Sequence, residues 1–336
     1  MRLLRPASLL PATAGAAAGL PLLGGRWICP LFEEIRWQPG ALPARRWLPA
    51  AALMADDPAL VPLQAARPRP FDGRPRLMGI LNVTPDSFSD GGAHADPAAA
   101  VAHGLRLAAE GADIVDVGGE STRPGAGEVP AEEELRRVLP VVRGLVQAGI
   151  TVSIDTRKAV VMRAALAEGA TIVNDVSGLG HDPASLGVVA ASSAWIVLMH
   201  MQGTPATMNL APRYATCALE VTAYLAGRIA ACVTAGISQE RLIVDPGLCF
   251  GKHEPDNLDL MRHLGLLHGL GCPILLGASR KGWTAAIEAV RPPAQRLPGT
   301  LAATALAWAQ GVQLYRVHDV AAHRQLLDAL LAVGAG

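Results

Sequence analysis

Lysine is scarce in this chain: among 29 basic residues, only Lys158, Lys252 and Lys281 are lysines. Acidic residues also number 29, so there is no net charge. That balance argues against a general nucleic-acid or anionic-membrane binder, because both carry a basic surface. The five cysteines form no CxxC pair and no metal-ligand spacing, which favours free thiols in a reducing cytoplasm over a disulfide framework. No apolar run looks long enough to cross a bilayer. Small molecules are the expected partners.

The first 74 residues differ from the rest of the chain. They are rich in proline, alanine and arginine, and their hydrophobic periodicity is weak. The early arginines and the absence of acid before Glu33 leave a targeting peptide as an alternative to a cytoplasmic protein. Prolines interrupt the apolar run, however, and no A-x-A cleavage site follows. We therefore expect residues 1–74 to be an N-terminal extension of uncertain structure that packs on residues 75–336 or is partly disordered.

From Leu77 onward, short apolar strands alternate with amphipathic helices. The predicted strands are Leu77–Asn82, Ile114–Val117, Thr151–Ile154, Thr171–Asn174, Ala194–Met199, Leu242–Val244, Ile274–Leu276 and Val312–Val317. The predicted helices include Pro97–Glu110, Ala131–Gln147, Lys158–Glu168, Ala218–Ala235, Asn257–Leu267 and Val320–Val333. Eight such units in about 260 residues indicate an α/β protein with a TIM (β/α)8 barrel. A doubly wound open sheet is the alternative, but no GxGxxG follows the first strand.

Polar and charged residues cluster where these strands end, which is the active-site face of a TIM barrel. The first two strands run into the polar, glycine-rich segments 78–92 and 116–125, which are suited to moving over a substrate. Asn82 offers an oxygen ligand to a hard cation such as Mg²⁺. Thr122 and Arg123 are candidates for binding phosphate oxygens, since arginine supplies a bidentate fork.

Four further strand-end residues converge on the same mouth: Asp155, Asn174, Asp245 and Lys281. No Ser–His or Cys–His pairing is evident beside them, so a nucleophile–base triad is not expected. Carboxylates accept from a guanidine-like edge and an ammonium donates to a ring carbonyl or nitrogen, so the four suit a heterocycle.

The last strand ends in Arg316 and His318, which alternation places on one side, facing the mouth. An arginine there can stack on a ring, and the pair can hold an anion. The segment 277–282 after the seventh strand opens a predicted helix whose N-terminal amides also favour an anion.

These motifs together closely resemble dihydropteroate synthase, a family of pterin-binding TIM barrels, from about Arg76 to the C-terminus. The matching stretches are MGILNVTPDSFSDGG, DIVDVGGESTRPG, SIDTRK, IVNDVSG, LMHMQGTP, VDPG with FGK, ASRKG and RVHDV. The resemblance implies that Asn82 is a ligand of Mg²⁺ and that Thr122 contacts the pterin diphosphate. The pterin would be framed by Asp155, Asn174, Asp245 and Lys281, with Met199 and Phe250 lining its pocket.

The resemblance also implies that Arg316 stacks on the pterin ring and binds the diphosphate together with His318. Phe88, Asp90, Arg123 and Pro124 would belong to mobile loops that close over p-aminobenzoate; Asp90 and Arg123 with Lys281 are the catalytic candidates. Diphosphate would leave first and the arylamine would then attack the pterin methyl cation. A homodimer and sensitivity to sulfonamides are further implications.

The sequence departs from the family pattern at Leu248 and Cys249, where an aromatic residue and a glycine are usual, and at Gly282, where many members carry serine. Cys249 puts the shape of the pterin pocket in doubt, and Gly282 the affinity for the aminobenzoate carboxylate. His200 is expected to be a hydrogen-bonded strand-end residue and Cys272 a buried thiol. The rival interpretations are a methyltetrahydrofolate–corrinoid methyltransferase and an inactive pterin-binding paralogue.

Overall fold

The computed structural model describes residues 1–12, 18–84, 96–123, 125–283 and 291–334. The first part of the chain forms two small antiparallel sheets. One contains β1 (Arg2–Pro6), β5 (Leu31–Arg36) and β6 (Ala44–Pro49) in the order β1-β5-β6. The other contains β2 (Leu10–Pro11), β3 (Leu20–Leu22) and β4 (Trp27–Cys29) in the order β2-β4-β3, and the short helix α1 spans Val61–Gln64.

Two of the aromatic side chains of this extension bury themselves against the barrel. Trp37 is 5% exposed and belongs to the main hydrophobic core, and Trp27 packs edge-on against Trp308 with ring centroids 5.4 Å apart. Trp47, in contrast, is 58% exposed. The extension is therefore ordered over its described residues and docked on the barrel.

Eight parallel strands follow: β7 (Arg76–Asn82), β8 (Ile114–Gly118), β9 (Val152–Asp155), β10 (Ile172–Asp175), β11 (Trp195–Met199), β12 (Leu242–Asp245), β13 (Leu275–Leu276) and β14 (Leu314–Val317). Their order is β12-β11-β10-β9-β8-β7-β14-β13. A parallel bridge between Val244 and Ile274 joins the two outer strands. The sheet therefore closes into the predicted TIM barrel, and the open doubly wound sheet is excluded.

The described helices around the barrel are α2 (Pro97–Ala109), α3 (Ala131–Gln147), α4 (Ala159–Ala167), α5 (Ser185–Ala190), α6 (Cys217–Thr234), α7 (Glu254–Arg262), α8 (Leu297–Trp308) and α9 (Val320–Gly334). All eight predicted strands are confirmed to within two residues at either end. The predicted helix Asn257–Leu267 is wrong in its bounds: α7 begins earlier, at a capping box made by His253 and Asp256, and a 3-10 segment, Leu264–Leu270, follows it.

The sequence analysis expects no apolar segment long enough to cross a bilayer. Helix α6 corrects that expectation, because its length and composition alone would allow it to do so. Its eight buried residues, among them Leu225 and Cys232, pack one side of it against the barrel. This packing is that of a core helix. The five cysteines are free thiols, and Cys272 is buried as predicted.

The amino-terminal end of the barrel is closed by apolar side chains. Phe71 joins a cluster of inward-facing residues that includes Met78, Ile172 and Leu314. Its ring also contacts Trp195 edge-on, with centroids 4.9 Å apart. A cavity of about 330 Å³ lies between the extension and this end, lined in part by Phe71 and the Trp27–Trp308 pair. The polar mouth is at the opposite end.

Candidate active site

The centre of the mouth is a buried ion-pair network around Arg316 of β14. Its Nε donates to Asp116 Oδ2 at 2.6 Å, and a terminal nitrogen donates to Asp155 Oδ2 at 2.7 Å. Asn174 Nδ2 donates to the same Asp116 oxygen at 3.0 Å. Strands β8, β9, β10 and β14 are thus joined at their carboxyl ends by side chains far apart in sequence. Two carboxylates thus fix the position of the guanidinium on this side of the mouth.

The opposite side of the mouth brings Asp245 and Lys281 together. A Cβ built on Gly277 would lie 3.6 Å from Lys281 Nζ and 3.7 Å from Asp245 Oδ2, so a glycine leaves the space that these two groups share. The Lys281 ammonium donates to Leu248 O at 2.8 Å and lies 4.5 Å from the centroid of the Phe250 ring. Asp245 accepts the Gly247 N–H at 2.7 Å.

Burial shifts the pKa values of these groups toward their neutral forms. It raises the pKa of Asp155 to about 7, with Asp116 and Glu134 adding to the rise and Arg316 opposing it. It also raises the pKa of Asp245 and lowers that of Lys281, although each opposes the shift of the other. A ligand whose hydrogen-bonding groups and charges complement Asp155, Asp245 and Lys281 would therefore bind strongly here.

His318 lies beside this network, but in a neutral form. Burial, with Arg316 and Arg280 nearby, lowers its pKa to about 3, and Arg123 adds to the effect. Ser279 Oγ accepts the His318 backbone N–H at 3.0 Å and also lies 3.0 Å from His318 Nδ1. A neutral ring that accepts the hydroxyl hydrogen at Nδ1 carries its own hydrogen on Nε2, whereas a ring that donates from Nδ1 leaves Nε2 as an acceptor.

This Ser279–His318 contact corrects the expectation that no Ser–His pair accompanies the site. It is a poor nucleophile–base pair, because a base with so low a pKa does not take up a proton at neutral pH. Arg280, which directly precedes Lys281, is held by a bidentate pair with Asp319 at 2.9 and 2.6 Å. The helix expected after segment 277–282 falls on residues 284–290, which lie outside the described residues.

The remaining predicted residues fall at three kinds of position. Asn82 ends β7 and is half-buried, and its side chain makes no hydrogen bond to the other described residues. Met199 ends β11 and is buried. Thr122 is half-buried and Arg123 exposed on the loop after β8, which contacts the loop after β11 through Gly125 N and Pro205 O at 3.1 Å. Phe88, Asp90 and Pro124 lie outside the described residues.

Cys249 adopts a backbone φ of +66°, in the left-handed region that glycine tolerates best. This conformation explains why a glycine is usual there. Burial raises the pKa of the Cys249 thiol, which keeps it neutral beside Lys281. The side chain is accommodated at a strained position in the turn between β12 and α7.

Three functional residues were missed from the sequence. Asp116 is fully buried between Arg316 and Asn174; a charge two residues after Ile114 in an otherwise apolar strand was the available signal. Glu120 pairs with Arg157 at 2.9 Å and accepts the Val129 N–H at 2.9 Å, which ties together both ends of the loop that carries Thr122 and Arg123. Lys252 is the third.

Lys252 lies under the loop after β12. Its Nζ is 2.9 Å from Nδ1 of His200 and donates to backbone carbonyls around it. The ring of His200 also packs edge-on against Tyr224. His200 is thus confirmed as a hydrogen-bonded residue just after its strand. Burial lowers the pKa of Lys252 to about 7 and that of His200 to about 3.

Comparison with known proteins gives a consistent result. The family model described as "Pterin binding enzyme" matches residues 78–318. The chain is 45% identical over 264 residues to the dihydropteroate synthase of Neisseria meningitidis serogroup C, covering 78% of this chain and 93% of that protein. The family match begins after the N-terminal extension.

Solved structures agree. The Xanthomonas albilineans dihydropteroate synthase with 4-aminobenzoic acid is 51% identical, with a TM-score of 0.73 over 78% of this chain and 94% of that one. The same synthase is also known in complex with 7,8-dihydropteroate. The Yersinia pestis dihydropteroate synthase with a sulfonamide drug complex is 42% identical, with a TM-score of 0.74 over 78% of this chain and 95% of that one.

Proposed function

The chain belongs to the pterin binding enzymes and, among them, to the dihydropteroate synthases, which are transferases of folate synthesis. We propose how the mouth of its barrel performs the reaction of that family. The reaction joins a dihydropterin methyl group to p-aminobenzoate and releases diphosphate. The observation that carries the proposal is the buried mouth in which Asp116, Asp155 and Asp245 face Arg316 and Lys281.

The pterin lies between the two sides of this mouth. Asp245 and Asn174 face the guanidine-like edge of the ring, where a carboxylate and an amide oxygen accept N–H groups. Lys281 donates to the ring carbonyl or a ring nitrogen, and Asp155 completes the frame. Arg316, fixed by Asp116 and Asp155, stacks its guanidinium on the ring. Met199 and Phe250 cover the apolar part of the pocket.

The diphosphate lies toward the outer part of the mouth. Thr122, His318 and Arg316 contact it, and Arg123 adds positive charge on the same side. Asn82 is suited to bind a magnesium ion, because its side-chain amide makes no hydrogen bond to the other described residues. Those residues contain no group of His, Cys, Asp or Glu side chains that could hold a metal ion by themselves. Such a setting suits an ion that takes most of its ligands from diphosphate and water. Bound there, Mg²⁺ would neutralise negative charge on the leaving group.

Bond breaking comes first in this reaction. The bond between the pterin methylene carbon and the diphosphate oxygen breaks, and its electron pair leaves with the diphosphate. The p-aminobenzoate nitrogen then bonds to the methylene carbon and releases a proton to solvent. The chain's own contribution is to fix the ring and to stabilise the departing anion, which agrees with the poor Ser279–His318 base.

The test is product formation from the dihydropterin methyl diphosphate and p-aminobenzoate, with the methylene carrying deuterium or hydrogen. A normal secondary isotope effect on the bond-breaking step is expected, together with loss of turnover in excess chelator. An isotope effect near unity would contradict bond breaking before attack, and full turnover in chelator would remove the magnesium ion. No product at all would favour an inactive pterin-binding paralogue.

Two further assignments extend this proposal. A homodimer is inferred from the family resemblance, and sedimentation velocity at micromolar concentration tests it. A reducing compartment such as the cytoplasm is inferred from the five free thiols. The relatives and solved structures named above are dihydropteroate synthases, which favours this activity over the methyltransferase alternative.

A further inference from the structure

Lys252 is a buried cation with only neutral partners among the described residues. It is 5% exposed, and its hydrogen-bond partners among the described residues are a histidine ring and backbone carbonyls. Its Nζ lies 2.9 Å from His200 Nδ1, 3.2 Å from His200 O, 2.9 Å from Gly247 O and 2.9 Å from Phe250 O. Burial of an amino group is costly unless its hydrogen bonds are made, and these four acceptors are enough to satisfy its three hydrogens.

These acceptors belong to two loops that touch along their backbones. A Cβ on Gly247 would lie 1.9 Å from His200 O, and a Cβ on Gly251 would lie 2.4 Å from Gln202 O. Only glycine permits so close an approach. The carbonyl oxygens of the two loops therefore point at one spot, and a cation at that spot offsets their mutual repulsion.

The same loop supplies the surroundings of Lys281. Leu248 O accepts from Lys281 Nζ at 2.8 Å, and the Phe250 ring lies beneath that ammonium at 4.5 Å. Lys252 donates to Gly247 O, in the residue before Leu248, and to the carbonyl oxygen of Phe250 itself. Any shift of the turn would move both partners of Lys281.

We propose that Lys252 is a positioning residue, which fixes the turn Gly247–Phe250 so that Lys281 faces the pterin. This inference rests on the proposed role of Lys281 in the pterin frame. Lys252 touches no substrate in this arrangement; it acts through Leu248 O and the Phe250 ring. The alternative is that Lys252 braces the fold without influence on the pterin.

A double-mutant cycle separates these two roles. The variants are Lys252→Met, Lys281→Met and the double variant, and the measurement is calorimetric binding of 6-hydroxymethylpterin to the full chain. Each single change is expected to weaken binding by about tenfold, which is about 1.4 kcal/mol. The double variant is expected to bind no more weakly than Lys281→Met, because Lys252 has nothing left to position.

The proposal would be overturned if the fold-losses in affinity of the two single variants multiplied in the double variant. It would also be overturned if either single variant bound the pterin as tightly as the unaltered chain. Arg228→Met is the matched control: Arg228 donates to Gly178 O at 2.7 Å and Leu179 O at 3.1 Å, in the loop after β10, and its loss should lower the melting temperature with pterin affinity unchanged. If Lys252→Met does not fold, Lys252→Gln replaces it in the cycle, and Lys252→Arg should retain most of the affinity. Failure of the proposed function is seen separately, as absence of product with the unaltered chain.

Discussion

The two ends of the barrel are built by the same strands with opposite chemistry. Three strands show the contrast two residues apart: Ile114 and Asp116 on β8, Ile172 and Asn174 on β10, and Leu314 and Arg316 on β14. Residues two apart face the same side of a strand, so both members of each pair point into the barrel. The apolar members pack with Phe71 at the closed end, and the polar members form the mouth.

The comparison implies that stability and binding can be changed separately along one strand. At the closed end a side chain contributes mainly through the volume it fills. At the mouth it contributes through charge, and its burial is a cost that the network of partners offsets. The predictions below run from the largest expected effect to the smallest.

Arg316→Met is expected to affect both properties, because it leaves Asp116 and Asp155 buried without their cation. Removing one member of a buried pair costs about 3–5 kcal/mol of unfolding free energy. Urea unfolding measures this loss, and turnover should become undetectable. Arg316→Lys keeps the positive charge but cannot donate to both carboxylates in the geometry of a guanidinium, so it should be more stable than Arg316→Met and less stable than the unaltered chain. A fully stable Arg316→Met variant would show that the network does not depend on this cation.

Ile172→Ala should lower the free energy of unfolding by about 2–5 kcal/mol, because it opens a cavity at the closed end. The Michaelis constants of the folded variant should stay unchanged. Asn174→Ala, two residues along β10, should instead weaken pterin binding and lower stability less. Equal effects of the two changes on the pterin Michaelis constant would break the distinction between the ends.

Pterin affinity should depend on pH through Asp155, whose pKa is raised to about 7 by burial. Below that pH the carboxyl is protonated, which removes its negative charge and turns one of its oxygens into a donor, so affinity should fall by up to about tenfold per pH unit. Above it, affinity should be constant with respect to this group. Calorimetric titration between pH 5.5 and about 8.5 measures the effect. Asp155→Asn should abolish the dependence, and its persistence in that variant would assign it to another group.

Removal of residues 1–64 should leave the Michaelis constants nearly unchanged, because the mouth residues lie beyond it and Phe71 is retained. Stability should fall, since Trp37 and Trp27 no longer cover apolar barrel surface. Thermal unfolding and steady-state kinetics of the truncated chain test both statements. A folded but inactive truncation would show that the extension contributes to the site. Trp47→Ser, at an exposed ring, is the control that should change neither property.

The barrel strands were predictable because short apolar runs ending in polar residues are a local signal. Helix α8 was missed because its sequence is apolar on nearly every face, and α5 because it is only six residues long. The extension strands were harder still, since β2 and β3 contain prolines and have two and three residues. Pairing with the barrel, as between Trp27 and Trp308, depends on tertiary packing that periodicity does not carry.

Within the site, residue types at strand ends predicted which groups converge but not how they pair. The contact of Arg316 with Asp116 spans 200 residues in sequence, so no local pattern reveals it. The same holds for Ser279 and His318, which meet only because β13 and β14 are neighbours. The role of Lys252 was hidden because its partners are backbone carbonyls, which every residue has.

The most direct test of the account compares Asp245→Asn with Ile243→Val, two inward positions on β12. Asp245→Asn replaces an acceptor with a donor against the N–H edge of the ring, so calorimetry with 6-hydroxymethylpterin should show a loss of about 1–3 kcal/mol. Ile243→Val should leave binding unchanged and lower the unfolding free energy by about 0.5–1.5 kcal/mol. Unchanged pterin affinity in Asp245→Asn would contradict the claim that this mouth holds the pterin.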